Sequence, residues 1–534
     1  MKYLRLLIGL VLFGLLAPLA TTSCVKENQF LTEDATLTFS MDTVKFDTVF
    51  VTMGTTTKQV KVYNDHNQPV RISSVTLEHG SASRFRLNVD GDTSLVVRDL
   101  EIAAHDSIFI FVQACINPNS ELEPFLVEDH ILFNFEKGTQ RLLLTAYGRN
   151  AVYHIPDHVL QASDTQVPYS IIDCDNWDHT RPHVIVGYAV VDSRSTLSLT
   201  SGDELYFDND AVLWIFDSAT LKVQGTYECP VLFTSIRHDG WYDRLPGQWG
   251  DIWISSGAVE NEIDWAVIEN GYIGLIVDGQ WSNRPTLRLS NTRIQAHSEA
   301  GIYARNSCIE ADNVLISDCG VFSFLAQYGG KYQFSNSTLS NYYSYSSRSF
   351  FGVYFENSAP QGQWRNPRRN GLLEATFQNC LIYGPYEGRH HEGELGYWNE
   401  EGFPFEVRFD HCLLKSTTVE EWATATQCIF NEDPLFYSIS DRNYHLCPES
   451  PALGMGSSQY LIQTTDLENN PRQDPPSVGC YDYMDTSSFS ASSRYLIGYY
   501  PALRAQAGPV TSDRSNASPR RFQRTDYSLT RLHR

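Results

Sequence analysis

The sequence predicts an all-β protein, in which a sandwich-like N-terminal segment leads into a coil of stacked parallel strands. Two observations predict this. A short pattern centred on asparagine recurs down the second half of the chain, as Leu287–Ile294, Ile309–Ile316, Tyr332–Leu339 and Ala375–Ile382. Ahead of it, residues 36–148 hold about eight strand-like runs separated by polar turns.

In the repeat, apolar residues sit two and four before the Asn and three after it. Both flanks alternate with period two, as strands do, but the parity slips by one at the Asn. A flat strand with one buried face cannot tolerate that slip, whereas a strand that bends sharply can. Asn suits the bend, because it accepts left-handed backbone angles and bonds its own main chain. The spacing is 22 from Asn291 to Asn313 and 23 from Asn313 to Asn336. At about 3.3 Å per residue, that is one circuit of three short strands with turns. Stacked circuits would place Asn291, Asn313, Asn336 and Asn379 in a column, each amide donating to one neighbour and accepting from the other. These four are therefore expected to be internal supports at an inner bend.

The next spacings are 43, 32 and 16, ending at His411 and Gln427, and the series begins at Trp265. The first of these is one circuit with a long insertion, or two circuits with one ladder residue lost. Cys380, Cys412 and Cys428 follow the central residue, where Thr292, Val314 and Ser337 stand elsewhere. They read as small core residues. No cysteine pair has zinc-ligand spacing, and disulfide pairing stays open.

The repeat resembles the right-handed parallel β-helix proteins of the pectate-lyase-like superfamily. Asp433-Pro-Leu-Phe436, Tyr444-His-Leu446, Ser450-Pro-Ala-Leu-Gly454, Asp466 to Arg472 and Val478-Gly-Cys-Tyr481 resemble the C-terminal coil of bacterial surface β-helix proteins. The resemblance implies a β-helix over 150–485. It implies no activity, since one architecture hosts many functions. In the N-terminal segment, Phe46 to Phe50, Val60 to Asn64, Ile72, Phe85 and the final Leu142 to Gly148 resemble Ig-like domains of the spindle and hydin type. Such domains serve as spacers or adaptors. Asn88-Val-Asp90-Gly91 reads as a turn whose oxygens would also admit a calcium ion; no other cofactor is expected.

The start of the chain, Lys2 and Arg5, then an apolar run to Ala20 and Thr21-Thr-Ser-Cys24, has the form of a secretion signal. It resembles a bacterial lipoprotein signal over 1–24, with Cys24 lipidated, followed by a linker over 25–35. The resemblance implies an outer-membrane lipid anchor, at the cell surface or facing the periplasm. Nothing later is apolar enough to span a bilayer as a helix.

Net charge is −23; the tail from Ser487 contributes +6 and the signal +2, leaving the body near −31. Such a body argues against nucleic acid and polyanions drawn by its field. It suits neutral glycans, calcium-bridged glycans, or an envelope or host protein as partner. The Arg-rich tail, 486–534, is expected to be disordered.

Three departures from the repeat are the candidate sites, because function concentrates in loops on rigid scaffolds. In Arg237–Trp253, Trp241 and Tyr242 could stack on sugar rings while Asp239, Asp243 and Arg244 bond hydroxyls. The same stretch offers Asp239 with Asp243, or Asp251, as paired carboxylates for glycoside hydrolysis. Alternatively, Trp249 and Trp253 simply plug the coil. In 361–370, Trp364, Arg365, Arg368 and Arg369 suit a carboxylate or sulfate. In 389–401, Trp398 is a further ring, while His390, His391, Glu392 and Glu394 alternate sides on an extended chain and make a poor metal site. No Ser/His/Asp, phosphate-loop or dinucleotide motif is present. The expectation is a non-catalytic binding or scaffold protein; the alternative is a polysaccharide lyase or glycoside hydrolase.

Overall fold

In the computed structural model, the described residues run from 30 to 483, apart from 32–34, 52–53, 56, 120–124, 163–164, 238–241, 243, 280–283, 358–370 and 388–392. The chain divides into two units, residues 1–150 and 151–534. The described part of both is all-β, with only short 3-10 turns besides.

The first unit is a two-sheet sandwich. One sheet orders Thr38–Phe39, Lys58–Tyr63, Ser107–Ala114 and Phe85–Val89; the other orders Thr43–Phe50, Thr139–Arg149, Phe125–Asn134, Val70–Leu77 and Val96–Ile102. Alternation along each strand turns Val60, Val62, Ile110, Val112, Phe133 and Leu144 inward, all fully buried. Phe39 meets Phe133 at 5.1 Å and Phe46 meets Phe85 at 6.0 Å across the two layers. Asn88 and Gly91 close a turn, the Gly91 N–H donating to Asn88 Oδ1 at 2.8 Å.

The second unit is wound from three long parallel sheets. Sheet I has 11 strands from Val152–His154 to Ile429–Phe430. Sheet II has 10 from His158–Ala162 to Leu395–Trp398, and sheet III has 9 from Thr196–Thr200 to Thr424–Thr426. Only the opening hairpin of sheet II is antiparallel. Between the first and last turns, each circuit visits I, II and III in order: Arg293–Gln295, Ala300–Arg305, Cys308–Asp312, then Leu315–Ser317 on the next level. This order is consistent with a parallel β-helix. The winding starts well before the visible repeat, at Val152, because the earlier corners use residues other than Asn.

The parity slip has a direct cause. Trp265, Asn291, Asn313, Asn336, Asn379, His411 and Gln427 all stand at the corner from sheet III to sheet I with φ between 46° and 60°. One left-handed residue turns the chain and flips the alternation. Asn270, Ala296 and Asp318 form a second left-handed column at the corner from sheet I to sheet II, with φ of 67°, 60° and 56°. The spacing of 43 is one circuit, Thr338–Ser340, Val353–Glu356 and Leu373–Gln378, with insertions on either side of its sheet II strand.

The ladder forms in two pieces. Asn313 Nδ2 donates to Asn291 Oδ1 at 2.7 Å, and Asn379 Nδ2 to Asn336 Oδ1 at 3.0 Å. Between them Asn336 turns to Asp312 Oδ1 at 2.8 Å, while Asn313 Oδ1 receives Arg472 Nη2 at 2.9 Å. The ladder is thus broken where an arginine from far along the chain supplies a charged donor. These side chains are buried, but not at the inner bend that the parity slip suggested. Ser457 and Tyr460 also bond Asn379 and Asn336, so the column lies under the returning C-terminal segment.

That segment, 435–483, makes no further coil. It lies as a strap on the outer face of sheet I, whose Leu315, Leu381 and Leu413 pack against Tyr444, Leu446, Leu467, Val478 and Tyr481. Gly479 shows why its closing motif needs glycine: φ is 101°, and a Cβ would fall 2.6 Å from Thr338 Oγ1. The Gly479 N–H donates to the Asn379 carbonyl at 2.9 Å.

Asn313→Ala places alanine at a left-handed angle and removes bonds to Asn291 and Arg472. The expected cost is about 2–4 kcal/mol. Asn313→Gly should cost less, because it relieves the backbone term. Denaturant midpoints of the two variants check this; equal losses would assign the whole effect to the side chain.

Inside the coil, Cys380 and Cys412 are fully buried and Cys428 packs half-buried against them. Phe334, Phe377 and Phe409 stack at 5.0 and 5.3 Å. Sheet III carries opposite charges on successive levels, the half-buried pair Lys222–Glu262 at 2.7 Å and the exposed pair Arg288–Glu310 at 3.2 Å. Such pairs stabilise little and keep that face solvated.

Candidate functional site

Trp249 is fully buried in the core, stacked on Phe207 at 4.2 Å, with its Nε1 donating to the Glu269 carbonyl at 2.8 Å. It anchors the loop before it. Gln248 Nε2 donates to the carbonyls of Tyr242 and Leu245 at 2.6 and 2.8 Å, shaping a tight turn. The Gly247 and Gln248 N–H groups donate to the next level, at the Gly271 and Asn270 carbonyls. Arg244 is thereby held at the surface, at the corner between sheets I and II.

Two other departures from the repeat meet it there. The insertion after Thr338–Ser340 brings Tyr342, Tyr343, Ser344 and Tyr345, and the strap brings Ile439, Ser440 and Arg442. With Arg244 and Asp318 they line a cleft of about 340 Å³. The main-chain oxygen of Arg244 ties all three segments together: it accepts from Tyr345 Oη at 2.8 Å and from Arg442 Nη2 at 3.0 Å.

Asp318 forms part of the lining and is 7% exposed. Both its oxygens lie 2.8 Å from the Tyr444 hydroxyl, which donates to it. Burial pushes its carboxyl up, against the opposing pull of Arg442. Burial also raises the Tyr343 hydroxyl to about 12, so it stays a proton donor at neutral pH. The Tyr343 and Tyr345 rings lie 5.7 Å apart at 55°, leaving Tyr345 42% exposed. The cleft therefore offers ring faces, hydroxyl donors, guanidinium forks and one carboxyl, a set suited to a hydroxyl-rich ligand.

Of the residues expected from sequence, Arg244 reaches this cleft. Tyr242 lies in the same loop, its ring 3.2 Å under the Arg237 guanidinium. Trp398 is 59% exposed on the last strand of sheet II. Asp239, Trp241, Asp243, Trp364, Arg365, Arg368, Arg369, His390, His391, Glu392 and Cys24 lie outside the described residues. Glu394 points inward to a buried ion pair with Arg348. Among the described residues, no three His, Cys, Asp or Glu side chains gather as a metal site.

Trp253 does not plug the coil. It faces out from sheet II, stacked on Trp214 at 4.7 Å and 3°. Rings stacked along the coil axis cover each other's faces, so this pair presents edges to solvent and is construction rather than a sugar platform. Its Nε1 donates to Asp278 Oδ2 at 2.9 Å, and Arg305 Nη2 holds the same oxygen at 2.6 Å.

Asp251, at the start of the same strand level, has its carboxyl raised to about 7 by burial, with Arg305 opposing and Asp278 adding to the rise. Because the folded value lies above the unfolded one, this group favours folding fully below about pH 4 and loses that contribution as pH rises to about 7. The loss is on the order of 4 kcal/mol at most. Asp251→Asn should thus match the wild type near pH 4 and exceed it in unfolding midpoint at pH 8. A constant difference across that range would contradict the assignment.

No family model matches the chain, and no curated protein matches it. Solved structures align over a minor part. A family 123 glycoside hydrolase from Clostridium perfringens matches at 10% identity over 21% of this chain and 26% of its own, with a TM-score of 0.16. The Vibrio cholerae VesB protease matches at 10% over 21% and 31%, TM-score 0.15. The ASH/PapD-like domain of human CEP192 matches at 13% over 21% and 85%, TM-score 0.15. Similarity at this level carries no argument about function, so the site rests on its own geometry.

Proposed function

We propose that this chain is a lipid-anchored protein of a bacterial outer membrane that captures glycan without turning it over. The signal over 1–24 ends at Cys24, the residue suited to carry the lipid. In this reading the sandwich is an Ig-like spacer, and the coil is a right-handed β-helix of the pectate-lyase-like kind, the hand that parallel crossovers favour. The coil is the rigid frame, and the departures from its repeat are the binding parts.

One observation carries the reading. Tyr343, Tyr345, Arg244 and Arg442 come from three separate segments and converge on one cleft, fixed by two bonds to a single carbonyl. Rings beside forked donors are what sugar recognition requires.

A glycan panel over the purified chain tests it. Retention without products is expected, and Tyr343→Ala should weaken it roughly tenfold, about 1.4 kcal/mol. Product release from any glycan would replace this reading with a lyase or hydrolase. A protein partner held at the same cleft, with no glycan retained, would also overturn it.

A further inference from the structure

The cleft is at odds with the charge of the molecule around it. The chain carries a net −23, yet two arginines, Arg244 and Arg442, share the lining of one small cavity. We propose that the cleft takes a sugar bearing a tetrahedral oxyanion, a sulfate or phosphate ester, between the guanidinium groups of Arg244 and Arg442. This rests on the glycan-binding reading and names the ligand class.

Three features support it. First, the two arginines are neighbours across the cleft lining, because Arg442 Nη2 donates to the Arg244 main-chain carbonyl at 3.0 Å. Second, Ser344 and Ser440 line the same cavity. A tetrahedral oxyanion presents acceptors in several directions, so forks and hydroxyls can bond it together. A planar carboxylate has two oxygens in one plane and suits a single fork better. Third, the lining sets one carboxyl against two guanidinium groups: Asp318, 7% exposed and taking the Tyr444 hydroxyl at 2.8 Å, is pulled on by both Arg442 and Arg244, so the arginines outnumber it. Tyr343 and Tyr345 would then meet the sugar ring.

The tether also supplies a clean variant. Its acceptor is main chain, so Arg244→Ala removes a guanidinium and leaves the bonds from Tyr345 and Arg442 in place. Equilibrium binding would compare a hexose 6-sulfate, the 6-phosphate, the parent hexose, the corresponding uronate, and inorganic sulfate and phosphate. At least one ester should bind tenfold or more tighter than the parent, and Arg244→Ala should erase that difference without moving the thermal midpoint. Equal binding of ester and parent, preference for the uronate, or an unaffected Arg244→Ala variant would each overturn the inference while leaving glycan binding intact. Inorganic sulfate or phosphate bound as tightly as the ester would overturn the sugar part. No binding of any sugar, together with an empty glycan panel, would instead sink the glycan-binding reading beneath it.

Discussion

Arg348→Ala is expected to lower stability by about 3–5 kcal/mol, among the largest effects of any single substitution in this chain. Arg348 and Glu394 are 4% and 1% exposed and form a bidentate pair, with Nη1 to Oε2 at 2.6 Å. Glu394 also accepts from the Tyr386 N–H at 2.9 Å. Removing the arginine leaves a buried carboxylate whose charge nothing else offsets as closely. Burial already pushes Glu394 upward even with Arg348 in place. The pair joins the insertion that carries the cleft tyrosines to the following circuit, so ligand binding should weaken alongside stability. The double variant Arg348→Met with Glu394→Leu should recover much of the loss, since buried ion pairs exchange well for apolar side chains. Denaturant midpoints of the three proteins decide this. A double variant no better than the single one would show that packing, not the stranded charge, sets the cost.

Trp249→Ala should cost a similar 3–5 kcal/mol, for a different reason. The indole fills the coil beside Phe207, and its deletion opens a cavity in a core that closes around it on every side. The Glu269 carbonyl also loses its donor. Trp249→Phe keeps most of the ring and should recover more than half of the loss. Because Trp249 follows the turn that presents Arg244, the alanine variant should lose ligand affinity beyond what its folded fraction explains. Full affinity in the folded fraction would detach the turn from the cleft.

How much of this was legible in the sequence depends on how local the cause is. The Asn corners were readable because a single left-handed residue both turns the chain and slips the side-chain parity, leaving a mark in the apolar pattern itself. His411, Gln427 and Trp265 could be placed in the same column for that reason. The second column at Asn270, Ala296 and Asp318 leaves no common residue type, so nothing in the sequence marked it.

The strap was legible as a set of motifs but not as a position. Its contacts join residues such as Arg472 and Asn313, 159 apart, and a motif does not say which face it will cover. The same limit applies to the cleft. Arg244 and the interruption after Asn336 were identifiable as departures from the repeat. Arg442 was not, because it meets Arg244 only through the returning strap, 198 residues later. Trp253 reads as an interior plug from its apolar neighbours. Its parity in the strand Ile252–Ile254, with both flanking isoleucines buried, turns it outward.

Departures from a rigid repeat converge on one cleft, and we propose that this cleft binds glycan. Glycan retention by the wild type and by Tyr343→Ala, at matched folded fraction and with product analysis, tests it most directly. The wild type is expected to retain glycan without products, and the variant to retain it about tenfold more weakly. Equal retention by both proteins, or released products, would contradict it.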